Sequence, residues 1–193
     1  MIDIWENAKK EQKILYFKNF QEPEVTWENV LNYAYNLSLI QDISLYDRIP
    51  KNTEAPSMLV QGSVLFNFGY LLFNHNNLFD TFHGIKDFMT KVNGGISGIG
   101  CQYYIDRTRC TCKSYWHMQA LRFSMTNHEV SDHNDPYDVL YWQLLGTSRW
   151  IMNKDKEYLL EPGDVLYFNQ EDSHQVLQDG PRAGIIIDRL KEE

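Results

Sequence analysis

Three side chains in the last third of the sequence belong to types that bind metal ions: His133, Asp135 and His174. Side chains two positions apart on a β-strand project to the same face, so His133 and Asp135 can converge on one point. His174 opens a later apolar segment, which we expect to be a neighbouring strand. Two histidines and one carboxylate on one face leave three positions of an octahedral ion open, as in non-haem Fe(II) oxygenases. We therefore predict that these three residues form a metal site and catalytic centre.

Other interpretations of the same residues remain open at this level. A His-x-Asp pair is common, and His133 and Asp135 are equally compatible with a solvated turn beside Pro136. His128 is the replacement ligand if the register of the strand differs. Asp138 is five positions from His133, which predicts the opposite strand face. The sequence has no glycine-rich phosphate loop or nucleophile elbow, so metal chemistry is its main functional hypothesis.

Short strands after residue 99 must position these ligands. The candidate strands are "GCQYYID", "YWHMQALRFSM", "DVLYWQLLG", "SRWIM", "EYLL", "DVLYF", "HQVLQ" and "AGIIIDRL". Turn residues separate them, at 153–155, 162–164 and 179–181. Many short strands in succession are typical of a barrel or sandwich. We predict a mainly β fold with flanking helices, built on a double-stranded β-helix of the cupin or jelly-roll type.

The first half of the chain has a different pattern. Residues 13–20 read as a strand, and residues 26–38 read as a helix with Thr26 at its N-cap. A second helical pattern ends at Gly94-Gly95. A chain of 193 residues suits one domain. We predict a single domain over 1–193, in which 1–98 is a buttress of helices and strand and 99–193 is the core that carries the metal site.

Composition limits the partners. A net charge of −8 and a pI near 5.2 oppose nucleic acid, which needs a concentrated basic face. The N-terminus is too polar for a signal peptide, and no apolar run reaches the length of a membrane span. Cys101, Cys110 and Cys112 lack the spacing of a structural zinc site and read as reduced thiols. We expect a cytoplasmic monomer or homodimer without nucleic-acid or membrane partners.

The three candidate ligands belong to a longer ordered pattern. It spans two segments of the chain, "HNDPYDVLYWQLLGTSRW" and "LLEPGDVLYFNQEDSHQV". In order, its positions are His133, Asp135, Gln143, Gly146, Trp150, Pro162, Gly163, Asp164, Tyr167 and His174. This ordered set resembles the JmjC-like, cupin-like Fe(II)- and 2-oxoglutarate-dependent oxygenases. The resemblance covers about the last third of the chain. It implies bound Fe(II), the cosubstrates 2-oxoglutarate and O₂, and hydroxylation of an unactivated C–H of a protein side chain or small molecule.

One position departs from that family. The basic residue that binds the far carboxylate of 2-oxoglutarate commonly lies two residues before the tryptophan, where this chain has Ser148. A hydroxyl cannot neutralise a carboxylate, so either the cosubstrate differs or a cation comes from elsewhere. The resemblance favours Arg182, on the strand that returns beside His174, then Arg189, then Arg122. Ser148 and Tyr141 are predicted to add hydrogen bonds to the cosubstrate.

Two other function classes fit the same residues. The first is a cupin that binds a different divalent metal without 2-oxoglutarate and acts as a small-molecule isomerase or dioxygenase; Ser148 favours it. The second is a non-catalytic binding barrel whose metal site is incidental.

Overall fold

The computed structural model describes residues 2–32, 70–72, 84–94, 116–124 and 128–189. Two helices have defined bounds, α1 (Ile2–Lys10) and α2 (Ile85–Val92). The strands are β1 (Leu15–Phe17), β2 (Tyr70–Leu72), β3 (Trp116–Ser124), β4 (His128–His133), β5 (Val139–Leu145), β6 (Ser148–Met152), β7 (Lys156–Leu160), β8 (Val165–Phe168), β9 (His174–Gln178) and β10 (Arg182–Arg189). Residues 27–32 are also helical.

The described strands form two antiparallel sheets. One has six strands in the order β1-β8-β5-β10-β3-β2, and the other has four in the order β4-β9-β6-β7. Strands β3 to β10 divide equally between the sheets, and consecutive strands alternate between them except at β6 and β7. This arrangement is the jelly roll, or double-stranded β-helix, with β1 and β2 added at the edges of the larger sheet. The predicted fold class is confirmed.

The space between the sheets holds an apolar layer that we call the interior cluster. Its buried members are Val139, Tyr141, Trp150, Met152, Leu160, Leu166, Phe168 and Val176. They come from both sheets and alternate along each strand with side chains of the opposite face. Tyr141 and Trp150 lie with their ring centroids 4.7 Å apart. The interior cluster therefore joins the two sheets at the centre of the jelly roll.

The opposite face of the six-stranded sheet packs against the helices. Trp142 of β5 stacks on Phe88 of α2 at 4.0 Å, with an angle of 2° between the rings. Trp5 of α1 contacts Trp116 of β3 edge to face at 5.9 Å and donates from its indole to the backbone oxygen of Val92. Large aromatic side chains buried in this way remove much apolar surface from water and stabilise the core. We call this layer the helix-side cluster.

The Pro162-Gly163-Asp164 turn attaches the N-terminal segment to the jelly roll. Gly163 has a φ of 95°, a conformation that glycine adopts without a Cβ penalty. The Asp164 carboxylate accepts from the Tyr16 hydroxyl at 2.7 Å and from the Asn19 backbone at 2.8 Å. β1 then pairs with β8. The turn therefore has a structural role.

The sequence patterns locate most of the described elements. The strand predicted over 13–20 is shorter, Leu15–Phe17. Thr26 is the N-cap of the helical segment 27–32, since its hydroxyl accepts from the Asn29 backbone N–H at 3.2 Å. The predicted strand "GCQYYID", the three cysteines and residues 33–38 lie outside the described residues. No helix of the described ranges is both long and apolar enough to cross a membrane.

Candidate metal centre

The His-x-Asp pair lies where β4 ends, not within one continuous strand. His133 is the last residue of β4, and Asp135 belongs to the irregular connection that leads to β5. The expectation that both residues lie on one strand is therefore wrong, although their side chains converge as predicted. Pro136 has no backbone N–H and cannot continue a strand ladder, which accounts for the break. The Asn134 side chain fixes the connection by donating to the Glu171 backbone oxygen at 3.0 Å.

His174 joins this pair through the pairing of β4 with β9. It is the first residue of β9, as predicted, and its register partner is His133. The His174 Nε2 lies 3.6 Å from Asp135 Oδ2, and the His133 Nε2 lies 3.9 Å from Asp135 Oδ1. One potential ligand atom from each of the three residues falls within 4.8 Å of the others. The structure thus brings all three predicted ligands together, and we call them the metal triad.

The tautomer of His133 follows from its hydrogen bond. Its Nδ1 lies 2.8 Å from the Ser131 backbone oxygen. A carbonyl oxygen only accepts, so Nδ1 must carry the proton and Nε2 keeps a free lone pair when the ring is neutral. A backbone carbonyl on the far nitrogen is the usual way in which a metal-binding histidine is oriented. His133 can therefore bind a metal ion through its Nε2.

His174 is the buried member of the metal triad. Its side chain is 4% exposed, against 38% for His133 and 32% for Asp135. The rings of Phe168 and Trp150 pack on it at 4.6 and 5.5 Å. Burial lowers the pKa of His174 to about 4, and the neighbouring Asp135 carboxylate acts in the opposite direction. At neutral pH the imidazole is uncharged, which is the form that binds a metal ion.

The donor set fits a divalent transition metal. Imidazole nitrogens suit iron, zinc, copper and nickel, while a single carboxylate adds negative charge. Three protein ligands on one side also leave positions for other ligands. The partial exposure of His133 and Asp135 places the solvent-accessible side of the metal triad at the β4–β5 connection. Among the described residues the metal triad thus offers three ligands for a divalent ion.

Ser148 takes part in a hydrogen-bond chain within the protein. Its hydroxyl donates to Gln143 Oε1 at 2.7 Å and accepts from the Trp150 indole N–H at 2.9 Å. All three side chains are buried. The Gln143 amide continues the chain to the Leu145 backbone oxygen at 2.7 Å. Ser148 is thus hydrogen-bonded on both sides by protein groups at the position where the resemblance expects a cation.

Arg182 lies inside the jelly roll together with Tyr141. Its side chain is 2% exposed, and its Nε donates to the Gln178 side-chain oxygen. One terminal nitrogen points to the Tyr141 hydroxyl at 3.4 Å. Ala183 and Ile185, its neighbours on β10, belong to the helix-side cluster, so Arg182 projects to the interior face. Two of the predicted cosubstrate residues, Arg182 and Tyr141, are therefore adjacent.

The other two candidate arginines lie on different faces. Arg189 pairs with Glu6 of α1 at 2.9 Å, on the helix side of the sheet, and does not join Arg182. Arg122 lies on β3 between Leu121 and Phe123, which belong to the helix-side cluster, so it projects to the interior. Among the described residues, Arg122 is thus a second arginine that projects to the interior.

Sequence reasoning did not identify Gln178 and Asn134 as supporting residues. Gln178 orients Arg182, and the only available signal was its position opposite Arg182 across the short turn at Asp179-Gly180-Pro181. Asn134 stands between two predicted ligands, but its partner, a backbone carbonyl of a distant loop, leaves no mark in the sequence.

Comparisons with known proteins give partial matches. No protein-family model matches the chain, and no curated protein matches it. A cupin superfamily protein from Desulfitobacterium hafniense is similar in structure, with 21% identity, a TM-score of 0.36, and coverage of 42% of this chain and 73% of that one. The polyketide cyclase RemF from Streptomyces resistomycificus is 9% identical, with a TM-score of 0.36, and the match covers 39% of this chain and 55% of that one.

The ribosomal oxygenase YcfD from Escherichia coli is also similar, with 25% identity and a TM-score of 0.34. The match covers 39% of this chain and 24% of YcfD, so the chain spans about a quarter of that protein's length. One structure of YcfD contains cobalt and 2-oxoglutarate, and it matches with 24% identity and a TM-score of 0.34. The similar structures thus include cupin superfamily proteins, and each of these matches covers less than half of this chain.

Proposed function

We propose that the chain is an Fe(II)- and 2-oxoglutarate-dependent oxygenase of the JmjC-like, cupin-like type. The proposal rests above all on one observation, the approach of His133, Asp135 and His174 to within 4.8 Å of one another. Two neutral imidazoles and one carboxylate, with other positions open, are the ligand set of non-haem Fe(II) oxygenases. A buried arginine on the interior face gives independent support, because the cosubstrate has a second carboxylate to be bound.

The metal triad would hold the ion through His133 Nε2, a nitrogen of His174 and an Asp135 oxygen. Iron(II), with 2-oxoglutarate and O₂, supplies the oxidising power for hydroxylation of an unactivated C–H while 2-oxoglutarate is converted to succinate and CO₂. The chain's own contribution is to orient the ligands: the Ser131 carbonyl fixes the ring of His133, and Phe168 packs on His174. The apolar interior cluster keeps water from the inner side.

Arg182 would bind the far carboxylate of the cosubstrate. A guanidinium stays charged at any working pH and presents two parallel donors to a carboxylate. Gln178 holds Nε of Arg182, which leaves the terminal nitrogens for the ligand. The Tyr141 hydroxyl beside Arg182 can donate a further hydrogen bond. Ser148 would act indirectly, by fixing Gln143 and Trp150, and Arg189 is engaged with Glu6.

The substrate would reach the ion from the side of the β4–β5 connection. His133 and Asp135 are partly exposed there, whereas His174 closes the inner side. The substrate class remains a C–H of a protein side chain or of a small molecule. We propose that segments beside the β4–β5 connection select the substrate.

A succinate-release assay tests the proposal. The protein is purified without oxygen, loaded with Fe(II) and given 2-oxoglutarate and O₂, and succinate is measured with and without candidate substrates. We expect slow turnover in the absence of substrate, and its loss in Asp135→Ala. Asp155→Ala, which changes an exposed aspartate in the β6–β7 turn, is the matched control and should behave as wild type. Bound iron with no succinate under any condition would reject the proposal.

A second candidate function is a metal-binding cupin that does not use 2-oxoglutarate. The observation that favours it is the engagement of Ser148 by Gln143 and Trp150 at the position of the family's basic residue. This candidate predicts metal binding by the same metal triad without consumption of 2-oxoglutarate. The assay above separates the two functions.

A further inference from the structure

The loop that precedes the third ligand of the metal triad is held on two sides. This β8–β9 loop spans residues 169–173 and contacts both the β4–β5 connection and the β6–β7 turn. On the first side, Gln170 donates from its backbone to the Asp138 carboxylate at 3.3 Å, and Asn134 donates to the Glu171 backbone oxygen at 3.0 Å. The connection that holds the first two ligands is thus fastened to the loop that leads to the third.

Asn153 of the β6–β7 turn holds the other side of the loop. Its backbone N–H donates to the Ser173 backbone oxygen at 2.8 Å, and its side-chain oxygen accepts from the Ser173 backbone at 3.0 Å. Its side-chain nitrogen donates to the Asp172 carboxylate at 2.7 Å. Asn153 has a φ of 51°, a conformation that asparagine adopts more readily than most residues. The pairing of Met152 with His174 therefore continues by one residue beyond the ends of β6 and β9.

The Asp172 carboxylate joins these contacts inside the protein. Asp172 is 6% exposed, and an aspartate is rarely buried so deeply unless its oxygens have partners. One oxygen accepts from Asn153, and the other accepts from the Asn169 backbone N–H at 3.1 Å. The Asp172 backbone N–H donates in turn to the Asn169 backbone oxygen at 3.0 Å. Asp172 thereby connects the first residue of the β8–β9 loop to the β6–β7 turn.

His174 depends on this loop for its position. Its Nδ1 is buried without a hydrogen bond of normal geometry to the described residues, whereas the Nδ1 of His133 has a backbone partner. Burial lowers the pKa of His174 and the Asp172 backbone opposes this effect, so the loop lies against the ring. Phe168 and Trp150 pack on the imidazole but do not fix its backbone. The place of the ring therefore follows from where the loop holds the start of β9.

We propose that Asp172 is a positioning residue of the metal triad, because its carboxylate fixes the β8–β9 loop to Asn153 and thereby sets the place of His174 beside the other two ligands. Metal–nitrogen distances vary by only about 0.2 Å, so a displaced loop weakens the bond. Groups that orient a metal ligand typically contribute about 10- to 100-fold to metal affinity. That the bound ion is Fe(II) rests on the proposed function, whereas the positioning of His174 does not.

Titration of Co(II) into the metal-free chain tests this role. Co(II) absorbs visible light, so one titration reports both the affinity and the coordination geometry. Asp172→Asn keeps the size of the side chain but replaces one acceptor by a donor, which then faces an N–H of Asn153 or Asn169. We expect about tenfold weaker Co(II) binding and an altered absorption spectrum. Asp155→Asn, the same chemical change at an exposed position of the β6–β7 turn, is the matched control and should behave as wild type.

Exchange of the two side chains should restore metal binding. Asn153→Asp alone places two carboxylates against each other and should also weaken Co(II) binding. In the double variant Asp172→Asn/Asn153→Asp the amide donor and the carboxylate acceptor change places. The bond between the two side chains can then form in the reverse direction, and those from the Ser173 and Asn169 backbones are kept. We expect a spectrum like that of wild type and an affinity within about twofold.

Urea unfolding of the same variants separates positioning from stability. A folded Asp172→Asn that is less stable but keeps the Co(II) affinity and spectrum of wild type would overturn the inference, as would a double variant that binds no better than the single ones. Should Asp172→Asn fail to fold, Asn153→Gly removes the same side-chain contacts at a φ that glycine tolerates, and it should weaken Co(II) binding. Binding by folded Asn153→Gly as tight as that of wild type would then overturn the inference.

Succinate release by the iron-loaded protein distinguishes this inference from the proposed function. Weaker Co(II) binding by Asp172→Asn, with no succinate from wild type, would reject the oxygenase and leave the positioning role standing. Succinate from wild type, with equal Co(II) binding by wild type and Asp172→Asn, would keep the oxygenase and overturn the role of Asp172.

Discussion

The two faces of the six-stranded sheet differ in what they bury. On the helix side, β5 and β10 contribute apolar side chains such as Trp142 and Ile185, which pack against α1 and α2. On the interior side, the same two strands contribute Tyr141, Gln143 and Arg182, which are buried and polar or charged. Successive residues of one strand thus serve opposite purposes. The helix side therefore stabilises the sheet, while the interior side carries Arg182 and Tyr141, the residues proposed to bind the cosubstrate.

Polar groups on the interior side differ in how completely they are hydrogen-bonded. Gln143, Ser148 and Trp150 bond to one another and to the backbone. Arg122 keeps a buried nitrogen without a partner among the described residues. Buried groups that lack partners cost folding free energy, so they are common where a ligand supplies the missing contact. The first set supports the interior, whereas Arg122 is not fully hydrogen-bonded by the described residues.

The largest expected effect is on the helix side. Trp142→Ala removes the ring stacked on Phe88 and the indole donor to the Gln21 backbone oxygen. We expect a loss of about 3–5 kcal/mol in the free energy of unfolding, because a large buried side chain is replaced by a cavity. Urea unfolding measures it. Leu159→Ala, at an exposed position, is the control and should change stability by less than about 0.5 kcal/mol.

We expect Ser148→Ala to destabilise the protein less than Trp142→Ala, because it affects only the hydrogen-bond chain of Gln143, Ser148 and Trp150. It leaves the Trp150 indole N–H without its acceptor and Gln143 without its donor, which should cost about 1–3 kcal/mol. Fe(II) affinity should stay within about twofold of wild type, since Ser148 does not belong to the metal triad. Unfolding and metal titration of the same sample check both expectations. A large loss of metal affinity at unchanged stability would contradict the supporting role.

The smallest predicted loss of stability is in the N-terminal segment, outside the two faces of the six-stranded sheet. Thr26→Ala removes the hydroxyl that caps the helical segment 27–32 and should destabilise the protein by about 1 kcal/mol. Thr26→Ser keeps the hydroxyl and should be close to wild type. Thermal unfolding of the two variants side by side makes the comparison. Equal melting temperatures would show that the cap contributes nothing measurable.

The sequence predicted local features better than long-range ones. His174 could be placed at the start of β9, because the turn at Asp179-Gly180-Pro181 marks the hairpin that follows it. The break between His133 and Asp135 was missed, since a short strand followed by a proline turn keeps an alternation that resembles one longer strand. Local propensity and turn residues therefore suffice to predict the local features of the fold.

Arg122 and Arg182 show why long-range features of the fold could not be predicted from the sequence. Arg122 meets Arg182 only through the register of β3 on β10, which joins residues far apart in sequence. The apolar residues Leu121 and Phe123 set the face on which Arg122 lies, but no local pattern shows that β3 pairs with β10. The same holds for the partnership of Ser148 with Gln143 and Trp150, which depends on side-chain packing inside the jelly roll.

Anaerobic titration of Fe(II) into the metal-free protein tests the central claim most directly. Wild type should bind one equivalent, and His174→Ala, which removes the buried ligand contributed by β9, should lower the affinity by at least about a hundredfold, since a whole metal ligand is lost rather than a group that only orients one. Folding of the variant is checked by circular dichroism in the same buffer. Binding of Fe(II) by a folded His174→Ala with the affinity of wild type would contradict the proposed metal triad.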